Sequence, residues 1–141
     1  MRTGNYLLYA EDSPTDAIFF TRAFSQLGIN TKLVHCNTGT ELRDFLLHRL
    51  ATRQALPRLI VSDIKMPGLT GLELLEFIRS HSDLRKLPVV LMSASEEARD
   101  IEQAYAHHAN AYLVKPNRYK NLKQLVAAVI DFWVRFNRTA A

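Results

Sequence analysis

The sequence predicts a doubly wound α/β domain built around a five-stranded parallel sheet. Three observations support this prediction. Five short apolar runs alternate with five segments of helical periodicity, and the third and fourth runs are almost continuously apolar. In addition, polar or charged residues whose side chains could take part in binding or catalysis follow the apolar runs. A strand followed by a helix, repeated five times, implies parallel strands joined by right-handed crossovers.

The predicted strands are short, and the third and fourth are the richest in Val, Ile and Leu. Continuous apolar runs are typical of central strands that are buried on both faces. In chain order the runs are NYLLYA at 5–10, TKLVHC at 31–36, RLIVSD at 58–63, PVVLMSAS at 88–95 and AYLVKP at 111–116.

The predicted helices begin and end at recognisable signals. Ser13 is a typical N-cap, Pro14 suits the first helical turn, and Asp16 lies early in this first helix. Gly28 is a typical C-cap and is expected near its end. The other four helices are predicted from apolar residues at spacings of three and four, after Thr38-Gly39-Thr40, around Leu72, Leu75 and Ile78, over about 96–107, and from Leu122 through Trp133.

Composition indicates one ordinary globular domain. The chain has 141 residues, of which 48% are hydrophobic and 23% charged. A formal charge of +4, without a run of like charges, gives no reason to expect direct DNA binding. The charged residues are therefore expected to form an ordinary solvated surface.

The sequence predicts a cytoplasmic protein without a membrane segment. Cys36 is the only cysteine, so it provides neither a disulfide framework nor a metal site by itself. The opening MRTGNYLLYAED reaches acidic residues too early for a signal peptide. No apolar stretch approaches the roughly 18 residues that a membrane span requires.

Residues able to bind metal and phosphate follow four predicted strands. Glu11 and Asp12 follow the first strand, Asp63 ends the third, Ser93 lies near the end of the fourth, and Lys115 ends the fifth. Ligands of open α/β sheets bind beyond the carboxyl ends of the strands. Clustered carboxylates suit Mg²⁺, while lysine and hydroxyl groups suit phosphate oxygens. This set predicts phosphoryl transfer with an aspartyl phosphate at Asp63.

The same motifs resemble the receiver domain of two-component response regulators. The motifs are Glu11-Asp12, Asp63-Ile-Lys-Met-Pro-Gly-Leu-Thr-Gly, Ser93-Ala94 and Lys115-Pro116. Each motif alone is common, but all four in order at strand ends are specific. The resemblance implies a flavodoxin-like receiver fold with strand order 2-1-3-4-5. A single receiver domain over 1–141 is expected. Receivers normally end soon after helix 5, whereas here an extended C-terminal helix is expected and no residues remain for an output domain.

The resemblance implies a role for each matching residue. Asp63 accepts a phosphoryl group from a sensor histidine kinase or a phosphotransfer protein, and Lys115 and Ser93 hold the phosphoryl oxygens. The implied cofactor is Mg²⁺, and its implied ligands are Asp12, Asp63 and the backbone carbonyl of Lys65, with Glu11 acting mainly through a metal-bound water. The protein would be a signalling protein rather than an enzyme, with self-phosphorylation and self-dephosphorylation as its only chemistry.

The resemblance also implies a conformational switch. Ser93 moves to bind the phosphoryl group, and Tyr112 fills the space that it leaves. The family reads this change on the face of helix 4, strand 5 and helix 5. The Lys115–Pro116 bond is expected to be cis, as is usual in the family.

Lys65 departs from the commonest receiver pattern, and so does Ser95. In receivers the side chains at these two positions flank the path of the water that hydrolyses the phosphoryl group. A long cation at 65 either obstructs that water or pairs with phosphate oxygens, or it points to solvent. The sequence leaves these alternatives open.

The fifth helix is expected to continue through VIDFWVRFNRTAA to the end of the chain. Its aromatics Phe132, Trp133 and Phe136 span little more than one turn, so some of them are expected to be exposed at an interface. The alternative is that all three cap the core.

Two stretches, DIEQAYAHHANAYLVKP and DFWVRF, are similar to a narrower group. These are stand-alone response regulators paired with bacterial phytochromes, which can dimerise through the face of helix 4, strand 5 and helix 5. A phytochrome-type kinase and a homodimer are therefore among the implied partners. An alternative function is a receiver-like interaction module that works without phosphorylation. The presence of all five site residues favours the phosphorylated regulator.

Overall fold

The structure is a computed structural model, and it describes residues 2–139. Strands and helices alternate along the chain as the sequence predicts. The strands are β1 (Tyr6–Ala10), β2 (Lys32–Cys36), β3 (Leu59–Asp63), β4 (Val89–Ser93) and β5 (Ala111–Val114). The helices are α1 (Pro14–Ser25), α2 (Gly39–Ala51), α3 (Gly71–Ser80), α4 (Ala98–Ala106) and α5 (Tyr119–Ile130), followed by a π-helix (Asp131–Phe136).

All strand pairs are parallel, and the strand order is β2-β1-β3-β4-β5. The predicted doubly wound sheet and its order are therefore confirmed. This order places β1 beside β3 at the centre of the sheet. Consequently the residues that follow β1 and β3 emerge next to each other, which determines where the candidate site forms.

Two hydrophobic clusters cover the two faces of the sheet. Side chains alternate along β1, so that Leu8 belongs to one cluster and Leu7 and Tyr9 to the other. Helices α2, α3 and α4 cover the first face, whereas α1 and α5 cover the second. All five residues of β1, β3 and β4 are buried, as the continuous apolar runs predict.

The helix starts follow the chemistry of their first residues. Ser13 caps α1, where its side chain accepts a hydrogen bond from the Asp16 amide, and Thr38 caps α2 in the same way through Glu41. A reciprocal capping box between Thr70 and Glu73 starts α3. Helix α1 ends at Ser25, three residues before Gly28, the predicted C-cap. Gly28 instead adopts the left-handed conformation in the turn that follows the helix (φ 62°).

The C-terminal segment differs from the single long helix that the sequence predicts. Helix α5 ends at Ile130, and a π-helix follows it directly from Asp131 to Phe136. The next residue, Asn137, is extended. The amide of Asn137 donates to the carbonyl of Phe132 at 2.7 Å, and a guanidinium nitrogen of Arg58 donates to the carbonyl of Val134 at 2.6 Å. These hydrogen bonds stabilise the helix end. The last residues of the predicted helix, 140–141, lie outside the described residues.

The expected cis bond at Lys115–Pro116 is wrong, because no peptide bond in the described residues is cis. A trans bond is the ordinary state of an X–Pro pair. The Lys115 side chain reaches the sheet end without a cis bond, since its ammonium group contacts carboxylates there.

None of the helices within 2–139 is long and apolar enough to span a membrane.

Candidate functional site

The strand register brings the predicted site residues to one end of the sheet. Ala10 of β1 lies opposite Ser62 of β3, so the residues that follow, Glu11 and Asp63, leave the sheet side by side. Asp63 in turn lies opposite Met92 of β4.

Residues from β4 and β5 complete the same end of the sheet. Ser93 is the last residue of β4 and lies opposite Val114 of β5. The amide of Lys115 donates to the carbonyl of Ser93 at 2.7 Å, which attaches the lysine to the end of β4. The sheet topology therefore brings together side chains that are up to 104 positions apart in the chain.

Three carboxylates form a compact cluster. Glu11, Asp12 and Asp63 each offer an oxygen atom, and these atoms lie within 4.8 Å of one another. Glu11 and Asp63 are buried, with exposed fractions of 1% and 7%, whereas Asp12 is exposed. An all-oxygen donor set that is open on one side suits a hard cation that keeps part of its water shell, as Mg²⁺ does.

Lys115 makes ion pairs with three carboxylates at once. Its Nζ lies 2.7 Å from Oε1 of Glu11, 3.0 Å from Oδ2 of Asp16 and 3.2 Å from Oδ1 of Asp63. The ammonium group donates hydrogen bonds to Glu11 and Asp16, whereas its contact with Asp63 is an ion pair. The lysine side chain is 19% exposed, so most of its surface is shielded from water.

Burial and charge shift the pKa values of this group. Burial raises the pKa of the Glu11 carboxyl, and the hydrogen bond from Lys115 offsets only part of that rise. Burial raises the pKa of Asp63 in the same way, against the opposing charge of Lys115. Burial alone would lower the pKa of Lys115, but its hydrogen bonds to Glu11 and Asp16 raise it overall. The lysine therefore stays protonated, while the carboxylates gain from a further cation.

The predicted switch residues, Ser93 and Tyr112, both contact the loop that follows β4. Ser93 is buried, and its hydroxyl oxygen accepts the amide of Ser95 at 3.1 Å. The Tyr112 hydroxyl donates to the carbonyl of Ser95 at 2.8 Å, so the tyrosine touches the loop that follows Ser93. The amide of Tyr112 donates to the Tyr105 hydroxyl at 3.1 Å. This chain of contacts joins the end of β4 to β5 and α4.

The loop after β3 is shaped by its glycines. Gly68 has a φ of 73°, which favours glycine, and Gly71 packs directly on the backbone of Asp63 and Ile64. The amide of Gly71 donates to the carbonyl of Ile64 at 2.9 Å. Lys65 lies in this loop and is exposed.

The three C-terminal aromatics occupy different environments. Phe132 and Phe136 are 53% and 68% exposed, whereas Trp133 is half-buried and packs against the cluster between the sheet and α5. Trp133 also contacts Phe132 edge to face at 5.0 Å between ring centres. Val134, rather than an aromatic, is the buried residue of this turn.

Sequence reasoning missed two contacts of the site. The sequence predicts Asp16 only as an early residue of the first helix, yet its carboxylate accepts a hydrogen bond from Lys115. His35 of β2 lies with its Nε2 2.9 Å from the carbonyl oxygen of Glu11 and so contacts the acidic loop. The sequence does carry a signal for Asp16, because EDSPTD places a third acidic residue in the first turn of the helix that follows β1.

Comparison with known proteins agrees with this geometry. Residues 7–127 match the response regulator receiver domain family. The probable methanogenesis regulatory protein FilR2 of Methanothrix harundinacea is 32% identical over 133 residues, which cover 94% of this chain and 86% of FilR2. The response regulator Rcp1 of Synechocystis is 29% identical over 129 residues, covering 91% of this chain and 88% of Rcp1.

Solved structures show the same likeness. The Mn²⁺-bound form of Rcp1 superimposes with a TM-score of 0.87 at 27% identity, covering 98% of this chain and all of that one. The phosphorylated cyanobacterial phytochrome response regulator RcpA superimposes with a TM-score of 0.88 at 26% identity, covering 99% of this chain and all of that one. The chain therefore belongs to the response regulator receiver domain family of two-component signalling.

Proposed function

We propose that this protein is a response regulator that accepts a phosphoryl group on Asp63 from a sensor histidine kinase or a phosphotransfer protein. One observation carries the proposal: Asp63 shares the end of the sheet with two further carboxylates and lies 3.2 Å from the ammonium group of Lys115. A buried structural aspartate would not require this combination. The likeness to a phosphorylated regulator, RcpA, supports the same reaction.

The transfer replaces one bond of phosphorus with another. A carboxylate oxygen of Asp63 attacks the phosphorus of a phosphohistidine, and the phosphorus–nitrogen bond breaks with its electron pair remaining on the imidazole nitrogen. Lys115 and Ser93 bind the phosphoryl oxygens, because an ammonium and a hydroxyl group both donate to them. The protein acts here on its own side chain, and loss of the phosphoryl group to water resets it.

The donor set fits Mg²⁺. Glu11, Asp12 and Asp63 would hold the ion together with the backbone carbonyl of Lys65, and Glu11 would act mainly through a water molecule of the ion. Bound Mg²⁺ would neutralise negative charge on the carboxylates and on the phosphoryl oxygens. The likeness to the Mn²⁺-bound form of Rcp1 supports the binding of a divalent cation.

Phosphorylation changes the contacts of Ser93 and thereby of Tyr112. A phosphoryl group adds negative charge and acceptor oxygens, which draw the Ser93 hydroxyl away from the Ser95 amide. The proposed result is a shift in the population of Tyr112 conformations rather than a new fold. Tyr112 already contacts this loop through the carbonyl of Ser95.

The proposed output is a protein contact on the face of α4, β5 and α5, including a homodimer. Phe132 and Phe136 expose apolar surface beside this face, and Trp133 supports them. The likeness to RcpA makes a phytochrome-type kinase a partner to test first. We place the reaction in the cytoplasm, and the proposal involves neither a membrane nor direct DNA contact.

Incubation with acetyl phosphate, with and without Mg²⁺, tests the proposal. Intact-protein mass is expected to rise by one phosphoryl group in a Mg²⁺-dependent way in the wild type, and not in Asp63→Asn. Size-exclusion elution of the same samples reports dimer formation. Phe136→Ser is expected to weaken the dimer, while the control Leu47→Ser changes an exposed side chain on α2. The alternative function, an interaction module that works without phosphorylation, predicts that the wild type and Asp63→Asn elute equally after incubation with acetyl phosphate and Mg²⁺. No observation favours this alternative.

A further inference from the structure

Asp16 is a third carboxylate on Lys115, contributed by α1. Its Oδ2 lies 3.0 Å from the lysine Nζ, although the two residues are 99 positions apart. The four motifs that resemble receivers in the sequence do not include this residue. The contact links the first turn of α1 directly to the ammonium group that faces Asp63.

A helix-capping role does not account for the position of the Asp16 carboxylate. An acidic residue at the third position of a helix commonly reaches back to the backbone amide of the N-cap residue. Here the amide of Ser13 donates instead to Oε2 of Glu11 at 3.3 Å. The Asp16 side chain therefore points to Lys115, while only its backbone amide takes part in the Ser13 cap.

The three partners of Lys115 differ in how easily they can be replaced. Glu11 is buried, and its contact at 2.7 Å is the shortest of the three. The Asp16 side chain is 48% exposed, so water can hydrate its carboxylate when the lysine moves away. Lys115 donates hydrogen bonds to Glu11 and Asp16, and its contact with Asp63 at 3.2 Å is an ion pair. A phosphoryl oxygen on Asp63 must therefore attract Lys115 against its hydrogen bonds to Glu11 and Asp16.

We propose that Asp16 is a positioning residue that competes with the phosphoryl group of Asp63 for Lys115. This inference rests on the proposed function. In the unphosphorylated protein Asp16 draws one N–H of the lysine toward α1. Its negative charge also opposes a phosphoryl group nearby. Asp16 therefore weakens the binding of the phosphoryl group in the site and keeps the unphosphorylated state favoured.

Beryllofluoride, which mimics a phosphoryl group on aspartate, tests this competition in the presence of saturating Mg²⁺. Its dissociation constant is measured for the wild type, Asp16→Asn, Asp16→Glu and the control Glu41→Gln. Glu41 occupies the third position of α2 and contacts the Thr38 cap and the Asn37 amide rather than a lysine. Asp16→Asn is expected to bind roughly 2- to 5-fold more tightly than the wild type, the range expected for a half-exposed ion pair.

A second readout separates competition from a structural role. The melting temperature of the unligated protein is expected to fall slightly in Asp16→Asn, because an ion pair is lost, while beryllofluoride affinity rises. If Asp16 had only a structural role, Asp16→Asn would lower both the melting temperature and the affinity for beryllofluoride. Asp16→Glu keeps the charge and is expected to bind close to the wild-type value, as is Glu41→Gln.

Equal or weaker beryllofluoride binding by Asp16→Asn would overturn the inference and leave the proposed function intact. Tighter binding by Asp16→Glu to the same extent as by Asp16→Asn would overturn it as well, because the charge would then not matter. Absence of Mg²⁺-dependent beryllofluoride binding in the wild type would overturn both this inference and the phosphorylation of Asp63.

Discussion

Lys115 Nζ lies 2.7 Å from Oε1 of Glu11, a carboxylate that is 1% exposed. The contact joins the end of β5 to the end of β1 across the centre of the sheet. It supplies the positive charge that allows Glu11 to be buried beside Asp63. The same ammonium group is the proposed partner of the phosphoryl oxygens. Stability and function therefore depend on one cation.

Lys115→Met is expected to destabilise the protein by about 3 kcal/mol at neutral pH without Mg²⁺, because it leaves two buried carboxylates without their cation. Urea unfolding measures this loss. Lys32→Met, which alters an exposed lysine of β2, is the control and is expected to change stability by less than about 0.5 kcal/mol. Equal losses in the two variants would contradict the account of the Glu11 contact.

The effect of pH on stability follows from the raised pKa values of Glu11 and Asp63, whose ordinary values are 4.5 and 3.8. The folded protein binds these protons more tightly than the unfolded chain does. Without metal, the contribution of these two groups to the free energy of unfolding is therefore largest below their ordinary pKa values and is lost as the pH rises through the folded values.

Mg²⁺ is expected to stabilise the protein at about pH 7.5 and much less at about pH 4.5, where protons compete for the same carboxylates. At a Mg²⁺ concentration of 100 times its dissociation constant, the gain is about 2.7 kcal/mol. Thermal unfolding with and without Mg²⁺ at both pH values measures this difference. Asp12→Asn is expected to reduce the gain at the higher pH. An equal gain at both pH values would contradict binding at this cluster.

Gly71→Ala is expected to cost about 3 kcal/mol or more and to abolish phosphorylation. A Cβ at this position would collide with the backbone carbonyl oxygen of Asp63 and with Cα of Ile64, so the strand end must move. Gly28→Ala is the control, because it meets no atom within 4 Å and costs only the left-handed conformation, about 1 kcal/mol. Urea unfolding and the acetyl phosphate assay together measure both effects. If Gly71→Ala lost no more stability than Gly28→Ala, the close packing of Gly71 on the backbone of Asp63 and Ile64 would be unimportant.

Lys65→Ala is expected to shorten the lifetime of the phosphorylated protein. Lys65 is exposed two residues after Asp63, where a long cation can pair with phosphoryl oxygens or obstruct the attacking water. The expected change is roughly 2- to 5-fold, in keeping with an exposed ion pair. Decay of the phosphorylated mass over time measures the lifetime, with the exposed Lys86→Ala as the control. An unchanged or longer lifetime in Lys65→Ala would exclude both roles.

The sheet was predictable because its signals are local. The continuous apolar runs predict β3 and β4, and Ser13 and Thr38 predict the starts of α1 and α2. Polar residues at strand ends also predict a common site, since parallel strands end at one edge. The strand order came from the resemblance to receivers rather than from the pattern itself.

The remaining features depend on contacts that are distant in sequence. The π-helix that follows Ile130 coincides with the burial of Val134, whose carbonyl accepts a hydrogen bond from Arg58, 76 positions earlier. The pairing of Asp16 with Lys115 depends on the packing of α1 against α5. The cis bond expected at Lys115–Pro116 was wrong because it was inferred from other receivers and not from this chain.

The most direct test of the central claim is to locate the phosphoryl group in the chain. The phosphorylated protein is reduced with borohydride, which converts an aspartyl phosphate to homoserine, and its peptides are sequenced by mass spectrometry. The account predicts a Mg²⁺-dependent conversion at Asp63 and at no other acidic residue of the cluster. Conversion at Asp12 instead, or no conversion with either acetyl phosphate or a phosphorylated histidine kinase, would contradict it.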